Sequence, residues 1–296
     1  MLALLLPSPG CAPRQSTIGV SYSHSLAPLI QELARRFEGN HPGVRVQSEP
    51  LKNWSSARRM RDLGPTCDVI ATDDWRQLSS VFSPAGPGRF YSFLGDEMVL
   101  ATARRELLDT LAEETDWKEN WSELLFRGGY LYGLLDPRRE ASGYQTHLVW
   151  KLAEIEFNRP GLYRRFLVRL DSSRVAADYS ELEALLRNGA LDFAFVYRST
   201  AIQDDFQFVA LPPQISLGEP SYAPVYAQAF VRVPEWGSSS SLEITGRPIR
   251  YGIAAPDPSN LWARRFVDFV VSPDFQQLYR ELGYAGIPVK EWSPQE

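Results

Sequence analysis

STIGVSYSHSLAPLIQELARRFEGNHPGVRVQSEP, residues 16–50, is the stretch that decides the fold class. STIGVSYS is a short apolar strand. In SLAPLIQELARRFEG, Leu26, Leu29, Ile30, Leu33 and Phe37 share one helical face. Ser25 stands where an N-cap belongs, and Gly39-Asn40 supplies the stop. VRVQSEP is the next strand. The same unit continues with the short helix SSARRMRDLG, then a third strand, CDVIAT, and a turn or helix beginning at Asp74-Trp75. Strands alternating with helices predict a mostly parallel, doubly wound sheet.

Outward from this unit, a second one follows. GGYLYGLLDP reads as a strand, and GYQTHLVWKLAEIE as a helix with Leu148, Val149, Leu152 and Ile155 on one face. YSELEALLRNG is a helix closed by Gly189, and LDFAFVYRS is a buried strand. Two apolar, extended connectors, FYSFLGDEMVLATA and FQFVALPPQISLGEPSYAPVYAQAFVRV, have the character of hinge strands. RPIRYGIAA and the helical run broken at Ser272-Pro273 have no partner of their own and are expected to return to the first unit. A flexible loop is expected at the Gly-Ser run from Gly237. The fold class is therefore α/β, two lobes each with a mostly parallel sheet flanked by helices, with a cleft between them. The expected division is 16–95 plus 215–296 for lobe 1, 96–214 for lobe 2, and 1–15 as a leader or tail.

The 296 residues are 44% apolar and 23% charged, with a formal net charge of −5. That is enough for a large core, and the mild acidity argues against nucleic-acid binding, which needs a clustered basic face. MLALLLPSPGC, residues 1–11, looks like the tail of a lipoprotein signal, with Cys11 as the lipid anchor; a disordered tail or ordinary secretory signal is the alternative. Two cysteines, Cys11 and Cys67, and three scattered histidines leave neither a disulfide framework nor a metal site.

In open α/β sheets, ligands sit off the carboxyl ends of strands, where helix N-termini point. Three such turns carry small or hydroxyl residues: Ser23 and Ser25; Asn53, Ser55 and Ser56; and Ser142, Gly143 and Tyr144. Free amides, the helix dipole and hydroxyls together suit a small anion. Each serine taken singly reads as a simple cap; the case rests on three equivalent turns drawn from both units. Tyr144 and Tyr197 are placed to close over a guest, although core packing explains tyrosines as well. No G-x-S-x-G elbow, Walker loop or dinucleotide fingerprint is present, so an enzyme is not expected.

Several segments resemble the periplasmic tungstate/molybdate-binding proteins of ABC importers: SHSLAPLIQELARRFEGNHPGVRVQSE, CDVIATDDW, SGYQ, GALDFAFVYRSTAIQDDFQFVALPPQISLG and RPIRYGIAAPDPSN. The resemblance runs from about Ser21 to Pro288 and implies a type II binding fold. It implies capture of molybdate or tungstate at the periplasm or cell surface, delivery to a membrane permease, no cofactor, and a monomer. By position, Ser25, the Asn53–Ser56 turn and the Ser142-Gly143-Tyr144 turn match the family's contacts. Members that hold the oxyanion six-coordinately supply an aspartate in a D-P-C-G-Y-type motif and a glutamate in F-E-Y. Here Glu140 opens EAS in place of DPC, and Val196 in FVY replaces the second carboxylate. Double ligation is thereby ruled out. Glu140 ligates alone, pairs with Arg138 or Arg139, or faces water, and the paired or solvated state is expected. The resulting expectation is a tetrahedral oxyanion held by hydrogen bonds. Competing readings are another small anion (sulfate, phosphate or an organic anion), an extracytoplasmic sensor on the same fold, and a hydrolase using His24 and Ser25.

Overall fold

The computed structural model describes residues 15–51, 67–78, 90–112, 117–234 and 240–292. Strand β1 (Ser16–Tyr22) pairs in parallel with β2 (Val44–Pro50) and with β3 (Val69–Thr72). The helix Ala27–Asn40 between β1 and β2 buries Leu29, Ile30, Leu33 and Phe37 on one face, as its periodicity requires. β4 (Phe90–Asp96), β12 (Ile249–Ala254) and β13 (Ala285–Trp292) complete a sheet of order β13-β4-β12-β3-β1-β2. The C-terminal segments thus return to the first sheet.

The second sheet has the order β7-β6-β8-β5-β9. It joins β5 (Met98–Thr102), β6 (Tyr132–Leu135), β7 (Val175–Ala176), β8 (Phe193–Tyr197) and β9 (Gln207–Ala210). A separate ribbon pairs β10 (Phe230–Pro234) with β11 (Ser241–Thr245). The expectation of mostly parallel sheets holds for strand direction but not for adjacency. β12 and β13 run against the other strands of the first sheet, and β5 against those of the second. Each reversed strand other than β13 lies between two neighbours of opposite sense, because the chain re-enters a sheet after crossing between lobes.

The crossover itself is abrupt. Glu97 alone separates β4 of the first sheet from β5 of the second. The return connector lies beside it, with Met98 N donating to Ser216 O at 2.8 Å and Ile249 N to Leu217 O at 2.8 Å. One apolar cluster extends through both lobes, and Tyr197 and Tyr251 meet within it at 5.9 Å between ring centroids. In the second lobe, Trp150 stacks on Phe166 with ring planes 4° apart. Val196 faces the other way from Tyr197 and is buried in a smaller core with Leu135, Tyr179 and Leu182. No described helix is long and apolar enough to cross a membrane.

Candidate functional site

Two strand ends of the first sheet and one of the second meet between the lobes. After β1, the chain turns through a short 3-10 segment, His24–Leu26. Ser25 is therefore not the cap of the following helix, which starts only at Ala27 and has Leu26 at its N-cap. Ser25 is buried in that turn; its carbonyl accepts from the Tyr284 hydroxyl, and its Oγ finds no partner among the described residues. Ser23 faces the end of β3: its Oγ donates to Asp73 Oδ1 at 3.0 Å and accepts from Asp73 N at 3.2 Å.

On the second sheet, β6 ends at Leu135 and the helix Ala141–Glu156 begins after a tight turn. Arg138 forks onto Asp136, with Nε to Oδ1 at 2.9 Å and Nη2 to Oδ2 at 2.6 Å. Arg138 is thus engaged within its own turn. Glu140 occupies the N-cap with extended backbone, yet its side chain accepts no hydrogen bond from the helix it precedes. Gly143 N turns back to Glu140 O at 3.2 Å. A Cβ on Gly143 would lie 2.3 Å from Leu135 O and 2.7 Å from Pro137 N. The glycine is needed because the strand it leaves packs directly against the helix start.

Tyrosines from the second lobe reach acids of the first. Tyr144 OH donates to Asp74 Oδ2 at 2.8 Å, and Tyr197 OH to Asp73 Oδ2 at 3.2 Å. Both rings are buried. Arg76 forks onto the same Asp74, with Nε to Oδ1 at 2.9 Å. Asp73 and Asp74 escaped the sequence reading. Their signal is TDDW, two acids at the carboxyl end of an apolar strand, where open α/β sheets place ligands.

A small cavity of about 10 Å³, on the scale of one water, lies at this junction. Ser23, Leu51, Asp73 and Gln77 line it from the first lobe, and Arg139, Glu140 and Ala141 from the second. A larger cavity of about 220 Å³ sits at the crossover, beside Glu97, Arg198 and Ser216, away from the strand-end turns. Asn53, Ser55, Ser56 and Cys11 lie outside the described residues. Ser142, Gly143, Tyr144, Glu140 and Tyr197 come together at or beside the junction, with Ser25 two residues past Ser23.

Among the described residues, the charge balance of the junction is acidic. Burial pushes Asp73 up to about 6, with the Asp74 charge adding to the effect and Ser23 opposing it. Burial, then the Asp73 charge, pushes Glu140 up to about 8, against Arg139. Asp74 is also pushed up by burial, but the Arg76 charge and its hydrogen bonds, with that of Tyr144, hold it net below the ordinary range. Glu140 stands half-buried at the helix start with Arg139 as the nearby base, and burial is the larger effect on it. Burial and the Asp73 charge favour its protonated form, with Arg139 opposing. Such a group donates a hydrogen bond instead of repelling an anion.

Residues 18–285 match the family described as bacterial extracellular solute-binding protein. A solute-binding protein of Petrotoga mobilis is 30% identical over 272 residues, 91% of this chain and 84% of its own length. The molybdate/tungstate-binding protein WtpA of Pyrococcus abyssi is 25% identical over 285 residues, covering 88% of this chain and 80% of the relative. The periplasmic molybdate-binding protein of Azotobacter vinelandii has the same two-lobed type II fold. It superposes with a TM-score of 0.63 at 15% identity, over 92% of this chain and 99% of that one. By the span of the family match and the likeness of its relatives, this chain belongs to the bacterial extracellular solute-binding proteins.

Proposed function

We propose that the chain captures a tetrahedral oxyanion, molybdate or tungstate, between its lobes outside the cytoplasm and delivers it to an ABC-type permease. The observation that carries this reading is the start of the helix Ala141–Glu156: a long helix left uncapped by its own side chains, facing the other lobe. Its first-turn amides and dipole favour an anion. Ser25, whose buried hydroxyl meets no partner within hydrogen-bond distance among the described residues, adds a donor from the first lobe. The identity of the guest is supported by the relatives named for molybdate and tungstate.

Lobe 1 comprises residues 16–95 plus 215–296 and lobe 2 residues 96–214, with Cys11 as a lipid anchor and the protein a monomer. The junction as it stands is too narrow for four oxygens, so the lobes part to admit the guest and close over it. The guest keeps its four oxygens and is held by hydrogen bonds from Ser25, the Asn53–Ser56 turn, Ser142 and Glu140. No protein atom bonds to its centre. Thermal denaturation with tungstate, molybdate, sulfate and phosphate in turn tests this. A bound guest at a hundred times its dissociation constant stabilises the fold by about 2.7 kcal/mol. Tungstate and molybdate are expected to do so alike; an unchanged melting temperature with all four would refute the reading.

A further inference from the structure

We infer that the crevice takes up a proton with each oxyanion it captures, carried by the facing carboxyls of Asp73 and Glu140. The inference rests on the oxyanion reading and concerns how that site tolerates its guest.

The geometry comes first. Asp73 stands on the first lobe and Glu140 on the second, and both line a small cavity between them. Of the nearby arginines, Arg76 forks onto Asp74 and Arg138 onto Asp136, while Arg139 lines the same cavity. Among the described residues the Asp73 carboxyl accepts from neutral donors, the hydroxyls of Ser23 and Tyr197. Around Glu140 stand Asp73, Asp136 and Asp178 as acids and Arg139 as the base. Around Asp73 stand Asp74 with its Arg76, and the phenols of Tyr144, Tyr197 and Tyr251. Two carboxyls thus share a confined space in which Arg139 is the one base among the described lining residues.

A guest with two negative charges cannot join two ionised carboxylates in such a space. In the closed, guest-free protein the crevice already favours a proton near neutral pH, since burial and then the Asp73 charge raise Glu140 to about 8, and burial with the Asp74 charge raises Asp73 to about 6. Its titration belongs to the pair and not to either member. The dianion raises both further, and the second carboxylate is protonated from solvent. No bond forms to the oxyanion, and the only covalent change is one O–H bond on a carboxyl group. Both acids then donate hydrogen bonds to the guest.

Isothermal titration with tungstate at pH 7, in buffers of contrasting ionisation enthalpy, measures the protons taken up. The expected uptake is close to one per tungstate, with the dissociation constant rising up to tenfold per pH unit between pH 6.5 and 8.5. In the double variant Asp73→Asn with Glu140→Gln, whose amides keep the shapes and cannot titrate, the uptake falls to near zero and affinity no longer moves with pH. Wild-type binding with no proton uptake would overturn the inference and leave the oxyanion reading intact, as would uptake that persists in the double variant. Absence of binding to tungstate, molybdate, sulfate and phosphate in every buffer would remove both together.

Discussion

At the scale of single residues, the helix start at 141–144 shows how packing and function share positions. Gly143 is where a carbonyl and a proline of the preceding strand end come closest, so its lack of a side chain is steric before it is chemical. Gly143→Ala is expected to push the helix start away from Leu135, costing about 1–3 kcal/mol of stability in urea denaturation. It should also abolish the oxyanion-induced thermal shift, because Glu140 and Ser142 move with the turn. A variant as stable and as responsive as the parent would show that the contact yields easily. The sequence made this glycine visible as part of a small-residue turn, but it was read as an opening for a ligand. Its backbone neighbours, Leu135 and Pro137, give the additional reason. Asp73 and Asp74 were less legible still, since acids after a strand are usually solvated turn residues. Nothing local announces that Tyr144 and Tyr197, 70 and 124 residues further along the chain, reach back to them.

At the scale of elements, the helices divide by how their first turns are satisfied. The helix Tyr179–Arg187 has a reciprocal cap: Asp178 Oδ1 accepts from Glu181 N at 3.0 Å, and Glu181 Oε2 accepts from Ala177 N at 2.6 Å. The helix Leu261–Val270 has Asn260, whose Oδ1 accepts from Ala263 N at 3.1 Å while its Nδ2 donates to Asp68 Oδ1 at 2.8 Å. These ends are closed and structural. The helix Ala141–Glu156 is left without a side-chain cap, although an acidic residue stands at the cap position. Asn260→Ala is expected to cost about 1–2 kcal/mol in chemical denaturation, with the tungstate-induced shift retained. Loss of the shift in that variant would mean that the C-terminal helix takes part in capture. Helix faces were legible from the spacing of Leu29, Ile30, Leu33 and Phe37 because burial on one side dictates that spacing. Helix starts were not, since Ser25 has the composition of a cap but lies in a 3-10 turn whose conformation is fixed by Tyr284, far along the chain.

At the scale of the whole molecule, two α/β units and their connectors were legible in the alternation of strand and helix patterns. The insertion of β12 between β3 and β4 was not, because strand order depends on contacts between distant segments such as Ile253 with Ala71 and Tyr91. That insertion brings Tyr251 to Asp96 at the crossover, where the carboxylate also accepts from Glu97 N at 2.8 Å and Ser199 N at 3.2 Å. Burial raises Asp96 to about 6 despite these donors. Asp96, Asp73 and Glu140 thus all bind a proton more tightly when folded than when unfolded. For such groups the folded state gains most below the unfolded carboxylate range near pH 4. That gain is lost as pH rises through about 6 for the two aspartates and about 8 for Glu140. Asp74 and Asp136 oppose this, because the neighbouring arginines overcome burial and hold both below their ordinary values, a contribution lost only as pH falls below the ordinary range. His24 and His147 oppose it too: burial lowers both, His147 to about 4, and their contribution is lost as pH falls below the ordinary imidazole range near 6.5. The guest-free protein should therefore melt lower at pH 8 than at pH 6.5, where Glu140 still titrates and the histidines no longer do, despite a net charge of −5 that carries no hint of acid preference. Calorimetry from pH 4 to 9 tests this, with Glu140→Gln expected to flatten the upper part of the decline. A melting temperature that peaks at pH 8 or above would mean that these three carboxyls are ionised and satisfied in the folded chain, and that the junction between the lobes is wetter than its packing implies.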